Sequence, residues 1–197
     1  MFKNYRREWS KDVANEADRL RAAGYDPDDG AISEEVQPFK PLLLPSGTRA
    51  IKVRSSLTVA MMGSVVALMT HYVTETESVP MMVYDCYYEK LSRNGRRYIT
   101  THEDGHLING HIGSATDAAA AVARGDTIRN AAEHNRSIEQ EFQADDYAVT
   151  VMGKRRVLAA MHEFKLLMEK NAWLGFDHDE LDRRIAHVAG NNQAWTA

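Results

Sequence analysis

The segment Thr101-His102-Glu103-Asp104-Gly105-His106 constrains this chain more than any other stretch. Its histidines stand four positions apart and can act together only on a helix. At about 100° of rotation per residue, His102 and His106 fall on one helical face, where both imidazoles can reach one metal ion. Glu103 lies beside them, placed to take a proton from water without itself binding the metal. This His-Glu-x-x-His spacing therefore predicts a helix here and a zinc ion on its inner face. Two imidazoles do not complete such a site, so a third ligand has to come from elsewhere in the chain. Glu141-Phe142-Gln143-Ala144-Asp145-Asp146-Tyr147-Ala148 supplies one, because Glu141 and Asp145 are again four apart on one helical face. One of these carboxylates can bind zinc while the other accepts a hydrogen bond from a ligand imidazole, whose tautomer needs such an acceptor.

With these residues in place, the pattern His102-Glu103-x-x-His106 followed by Glu141-x-x-Ala144-Asp145-x-Tyr147-Ala148 resembles the gluzincin metallopeptidases, and most closely their M48 family. The likeness runs from about Pro80 to Val188. It implies an α+β fold: a mostly helical zincin-like domain with a small β-sheet beside the motif helix. It also implies one zinc ion per chain held by His102, His106 and Glu141, with Glu103 as catalytic base and Asp145 supporting a ligand. The element His178-x-x-Leu181-x-x-Arg184-Ile185 is similar to the family's C-terminal His-Pro-x-x-x-x-Arg-Ile motif. The resemblance puts His178 near the developing oxyanion as a catalytic group and has Arg184 orienting groups of the site. Asp104 and Asp179 stand where the family has Leu and Pro. The activity implied is zinc-dependent endopeptidase cleavage of a protein or peptide substrate. The run from His102 to His111, taken with Glu141 and Asp145, is also similar to the ImmA/IrrE-type peptidases that act on repressor proteins, but the C-terminal element favours M48. A zinc-binding interaction protein without turnover is the remaining alternative, and Glu103 speaks against it because a purely structural site has no use for a base.

Composition bounds the remaining possibilities. A chain of 197 residues with 44% apolar residues can bury a sizeable core. It reads as an N-terminal helix and Pro-containing arm over residues 1–45, then a metallopeptidase domain over residues 46–197. A net charge of −4 argues against a nucleic-acid partner reached by neutralising phosphates. Cys86 is the only cysteine, so no internal disulfide is possible and a reducing, cytoplasmic compartment is expected. The start, Met1 to Trp9, has charge without an apolar core behind it and is not a secretory signal. Leu57 to Val73 is the one stretch long enough to suggest a membrane span, but it includes Thr58, Gly63, Ser64, Thr70 and His71 and reads as a buried helix. Oligomeric state is not fixed by any of these features.

In chain order, Asn4 to Ala23 reads as an amphipathic helix, and Tyr25 to Pro45, with its prolines and Gly30, as an extended linker. Ala50 to Val53 predicts a short strand, and so does Met81 to Asp85, either as a plain core strand or as an edge able to pair with an extended peptide. Ser92 is placed to cap a helix from about Arg93 to His111. Ser114 and Asp117 offer a cap for the Ala-rich run Ala118 to Ala123. Ser137 and Gln140 have capping-box spacing and open the helix carrying Glu141, which ends near Gly153. Val157, Met161, Phe164, Met168 and Ala172 recur at helical spacing as a core stripe. A last helix runs from about Asp179 to Ala189. His111, nine positions from His102, would lie nearly opposite it on a continuous helix, away from the metal. His71, His134, His162 and His187 have no metal-spaced partner and read as structural or solvent-facing.

Overall fold

The computed structural model describes residues 40–54, 59, 66–73, 78–112, 137–170 and 178–190. It is a mixed α/β structure with more helix than strand and a four-stranded sheet. The described residues fall into two compact units, one containing the strands and the other the helices that follow residue 87.

The sheet contains β1 (Lys40–Leu43), β2 (Arg49–Arg54), β3 (Ala67–Val73) and β4 (Ser78–Tyr84), in the order β1-β2-β4-β3. β1 runs antiparallel to β2, β2 parallel to β4, and β3 antiparallel to β4. The core of this unit is made by Ile51 and Val53, by Ala67, Leu68 and Met69, and by Met81, Met82 and Val83, all buried. β4 is an apolar run buried continuously from Met81 to Tyr84, so its side chains are covered on both faces of the sheet.

Two expectations change here, and one open choice, a core or an edge strand at Met81 to Asp85, is decided. The stretch Leu57 to Val73 is not one buried helix: Ala67–Val73 is β3, paired with β4 from Ala67↔Tyr84 to Val73↔Ser78. Val66, at φ 77°, turns the chain immediately before the strand, and Thr70, Tyr72 and Val73 are residues that suit a pleated surface. Of the earlier part of that stretch only Val59 is described, buried and helical. β4 is interior, with both rows of backbone groups already used, so it is not an edge that could accept a peptide strand. The second change is at Lys40–Leu43, expected as the end of an extended linker, which is the outer strand β1. The rest of the proposed N-terminal arm, the Ala-rich run at 118–123, His134 and the C-terminal tail lie outside the described residues.

The helical unit contains α1 (Cys86–Lys90), α2 (Arg93–Ile108), α3 (Ile138–Met152), α4 (Lys154–Lys170) and α5 (His178–Ala189). Ser92 caps α2 as its position predicts: its Oγ accepts from Gly95 N at 3.1 Å, and Glu163 of α4 in turn accepts from the Ser92 hydroxyl at 2.7 Å. α3 opens with a complete capping box, Gln140 N donating to Ser137 Oγ and Ser137 N to Gln140 Oε1. Of the expected stripe, Val157, Met161, Phe164 and Met168 are buried on α4, and Ala172 lies outside the described residues. No helix among the described residues is long and apolar enough to cross a membrane.

Candidate metal centre

α2 is buried along an unusually polar face: Thr101, His102, Glu103, Asp104, Gly105 and His106 are all inaccessible or nearly so. Buried groups of this kind need partners, and α3 and α5 supply them. The two helices α2 and α3 approach most closely where Gly105 faces Ala144. A Cβ at Gly105 would stand 2.9 Å from Ala144 Cα and 3.0 Å from its carbonyl oxygen. That approach allows Glu141, three residues before Ala144, and Asp145, the residue after it, to reach the histidines.

The three residues expected as ligands come together. One nitrogen each from His102 and His106 and one oxygen from Glu141 lie within 4.8 Å of one another. His102 Nε2 is 3.0 Å from His106 Nε2 and 3.1 Å from Glu141 Oε2, while His106 Nε2 is 3.2 Å from Glu141 Oε1. Two imidazole lone pairs at that distance repel unless a cation or a proton lies between them, and the carboxylate beside them completes a donor set suited to a dication. Two nitrogens and one carboxylate oxygen are a donor set that could hold a metal ion.

On the far side of His102, its Nδ1 lies 2.9 Å from Asp145 Oδ1, the arrangement expected for a carboxylate that orients a ligand. Asp145 is fully buried and heavily used. Tyr98 Oη donates to Oδ1 at 2.8 Å, Arg184 Nε to Oδ2 at 2.8 Å, and an Arg184 terminal nitrogen to Oδ1 at 3.0 Å. Arg184 also pairs with Glu141 Oε2 at 2.8 Å and places one terminal nitrogen 3.2 and 3.3 Å from the His102 ring nitrogens. One guanidinium thus balances two buried carboxylates. Burial opposes the ionised forms of Glu141 and Asp145, but Arg184 and then His102 outweigh it and hold both well below the usual carboxylate range. For His102, burial and Arg184 press the pKa down. The carboxylates of Asp145 and Glu141 win, and in the metal-free protein it is raised to about 9. Burial, then Asp145, keeps Tyr98 protonated and able to donate.

His178 is half-buried at the first position of α5 and is not one of the three side chains in the cluster. Asp104, at the position where a Leu is usual in the resembled family, is a buried acceptor of three hydrogen bonds. Ser46 N and Ser46 Oγ each donate at 2.7 Å, and Tyr147 Oη at 3.0 Å. This carboxylate holds the turn Leu44–Thr48 within the helical unit. Burial and then Asp104 push the Tyr147 phenol up to about 12, so it remains a donor.

One expectation about the site fails. α2 stops at Ile108, and Gly110, at φ 71°, reverses the chain so that His111 returns to the site instead of lying opposite it. His111 N donates to His106 O at 2.9 Å, its Nδ1 faces His106 Nδ1 at 3.0 Å, and its Nε2 faces Gln143 Oε1 at 2.9 Å. The signal for this was in the sequence: Asn109-Gly110 is a helix-stop pair. Tyr98 and Gln143 were also not anticipated. Tyr98 lies one turn before His102, a spacing that could have shown it. Comparison with known protein families, curated proteins and solved structures finds no match to this chain.

Proposed function

We propose that this protein is a zinc-dependent metallopeptidase of the gluzincin type, M48-like in its ligand pattern, that hydrolyses peptide bonds in a protein or peptide substrate. The observation that carries the reading is the convergence of His102, His106 and Glu141 on one focus, with Glu103 buried on the same helix next to the first ligand. His102 and His106 would hold zinc through Nε2 and Glu141 through its carboxylate. A zinc ion so held supplies Lewis acidity and lowers the pKa of water to about 7.

The chain's own groups do the rest. Glu103 is buried, so its carboxylate meets little competing water, and it accepts the proton of the attacking water and returns it to the leaving amine nitrogen. Asp145 and Arg184 fix His102 and Glu141 in place. Arg184 bridges these two carboxylates and offsets part of their charge.

Two variants test the reading. Glu103→Gln should keep the fold and one equivalent of zinc while losing peptide cleavage by at least ~100-fold, because a base is removed and every ligand remains. Glu141→Ala should lose zinc. Metal analysis of the purified protein and cleavage of an unstructured protein such as casein provide the measurements. Full zinc occupancy in Glu141→Ala would refute the ligand set. Wild-type protein that binds zinc but cleaves nothing would favour a zinc-binding interaction protein.

A further inference from the structure

The two ligand histidines are supported differently. His102 has a carboxylate at Nδ1, whereas His106 has the ring of another histidine. The His106 to His111 contact joins two Nδ1 atoms at 3.0 Å, and one proton has to lie between them, since two lone pairs or two N–H groups would repel. Which ring carries that proton is decided one step further out. Gln143 Oε1 can only accept, so His111 Nε2, 2.9 Å away, is an N–H donor. With its proton on Nε2, His111 presents Nδ1 as the acceptor, and the shared proton then belongs to His106 Nδ1. The His106 proton being on Nδ1, its Nε2 presents a lone pair toward His102 and Glu141.

We propose that His111 and Gln143 are positioning residues for the metal centre: a side-chain relay, Gln143 to His111 to His106, that fixes the proton of His106 on Nδ1 and so keeps Nε2 available as a ligand. This inference deepens the metal-centre reading and rests on it. The backbone bond from His111 N to His106 O at 2.9 Å and the positive φ of Gly110 lock the relay to the end of α2. α3 therefore contributes to both histidines, Asp145 to His102 and Gln143 to His106, in addition to its own ligand Glu141.

Gln143 is exposed, so its variants should fold, which circular dichroism would check. Gln143→Leu removes the acceptor; Gln143→Glu keeps one that cannot donate. The ring-proton positions are read from long-range ¹H–¹⁵N correlations of histidine in the metal-free protein, and zinc affinity from competition with a chelating dye. Wild type should show the proton of His106 on Nδ1 and that of His111 on Nε2. In Gln143→Leu the His106 signal should become a mixture of tautomers and zinc affinity should fall by about 10-fold to 100-fold, the usual cost of removing a ligand's supporting partner. Gln143→Glu should restore both readouts. A bare His106 Nδ1 in wild type, or a Gln143→Leu variant identical to wild type in both readouts, would overturn the relay. If wild type binds no zinc, the metal-centre reading fails by itself, and the His106 proton position in the metal-free protein still decides the relay.

Discussion

For Arg184 the resemblance implied an orienting role through a forked hydrogen-bond pattern, and the fold supplies the partners. Its Nε and one terminal nitrogen hold the two oxygens of Asp145, and its other terminal nitrogen holds Glu141. A lysine keeps the charge but has no planar fork with which to engage both carboxylates. Arg184→Lys should therefore lower zinc affinity by about 10-fold or more, by the same measure as for other ligand supports. A dye-competition titration checks this, and an unchanged affinity would reduce Arg184 to a source of charge. The clustering of His102, His106 and Glu141 was legible because a four-residue period is local information. His111 was not, because its position depends on where α2 ends, and extending the helix past Asn109-Gly110 sent the side chain to the wrong face. Gln143 and Tyr98 carry no motif; their roles exist only once α2 and α3 are paired.

At the level of elements, the pairing of α2 with α3 depends on Gly105. Its substitution by Ala would press a methyl carbon against the backbone of Ala144, which cannot turn aside as a side-chain tip could. Gly105→Ala should destabilise the protein by about 1–3 kcal/mol, the usual range for overpacking. It should also weaken zinc binding, because Glu141 and Asp145 move with α3. Thermal melts with and without zinc measure both effects, and a variant of wild-type stability and affinity would show that the helices have slack. The helices were readable from caps and stripes: Ser92, the Ser137 and Gln140 box, and Val157 to Met168 each mark an element correctly. β3 was not readable. Ala67-Leu68-Met69 is an apolar run with no period of its own, and only its neighbour β4 determines that it is extended.

For the whole molecule, the buried charges set a pH window. His102 has its pKa raised, so in the metal-free protein its contribution to stability is complete below its ordinary value near 6.5 and is lost as pH rises through about 9. Glu141 and Asp145 have theirs lowered, so their contribution is complete above the usual carboxylate range and is lost as pH falls below about 4. Metal-free protein should thus be most stable between these limits, as melts across pH would show. If His102 is a zinc ligand, zinc binding at neutral pH has to displace its proton. Calorimetry in buffers of different ionisation enthalpy should find about one proton released per zinc, with the release disappearing above pH 9. Release of no proton at neutral pH would mean that His102 is not a ligand.

The strand order has a consequence for how the chain reaches its folded state. β1 with β2 and β3 with β4 are each antiparallel pairs of strands close in sequence, so each can close as a hairpin by itself. Among the described strands the parallel register from Ile51↔Met81 to Arg54↔Tyr84 is the seam that joins them, and closing it must bring together segments separated by the whole of β3. That seam should form after the rate-limiting barrier. Truncating Val53, which lies beyond the residues paired with β1, to Ala should then accelerate unfolding while leaving the refolding rate nearly untouched, with a φ-value close to zero. Truncation of Leu68, on the β3 and β4 hairpin, should slow refolding instead. Stopped-flow chevrons of these variants would give the order of assembly, and slowed refolding in Val53→Ala would place the parallel seam in the nucleus.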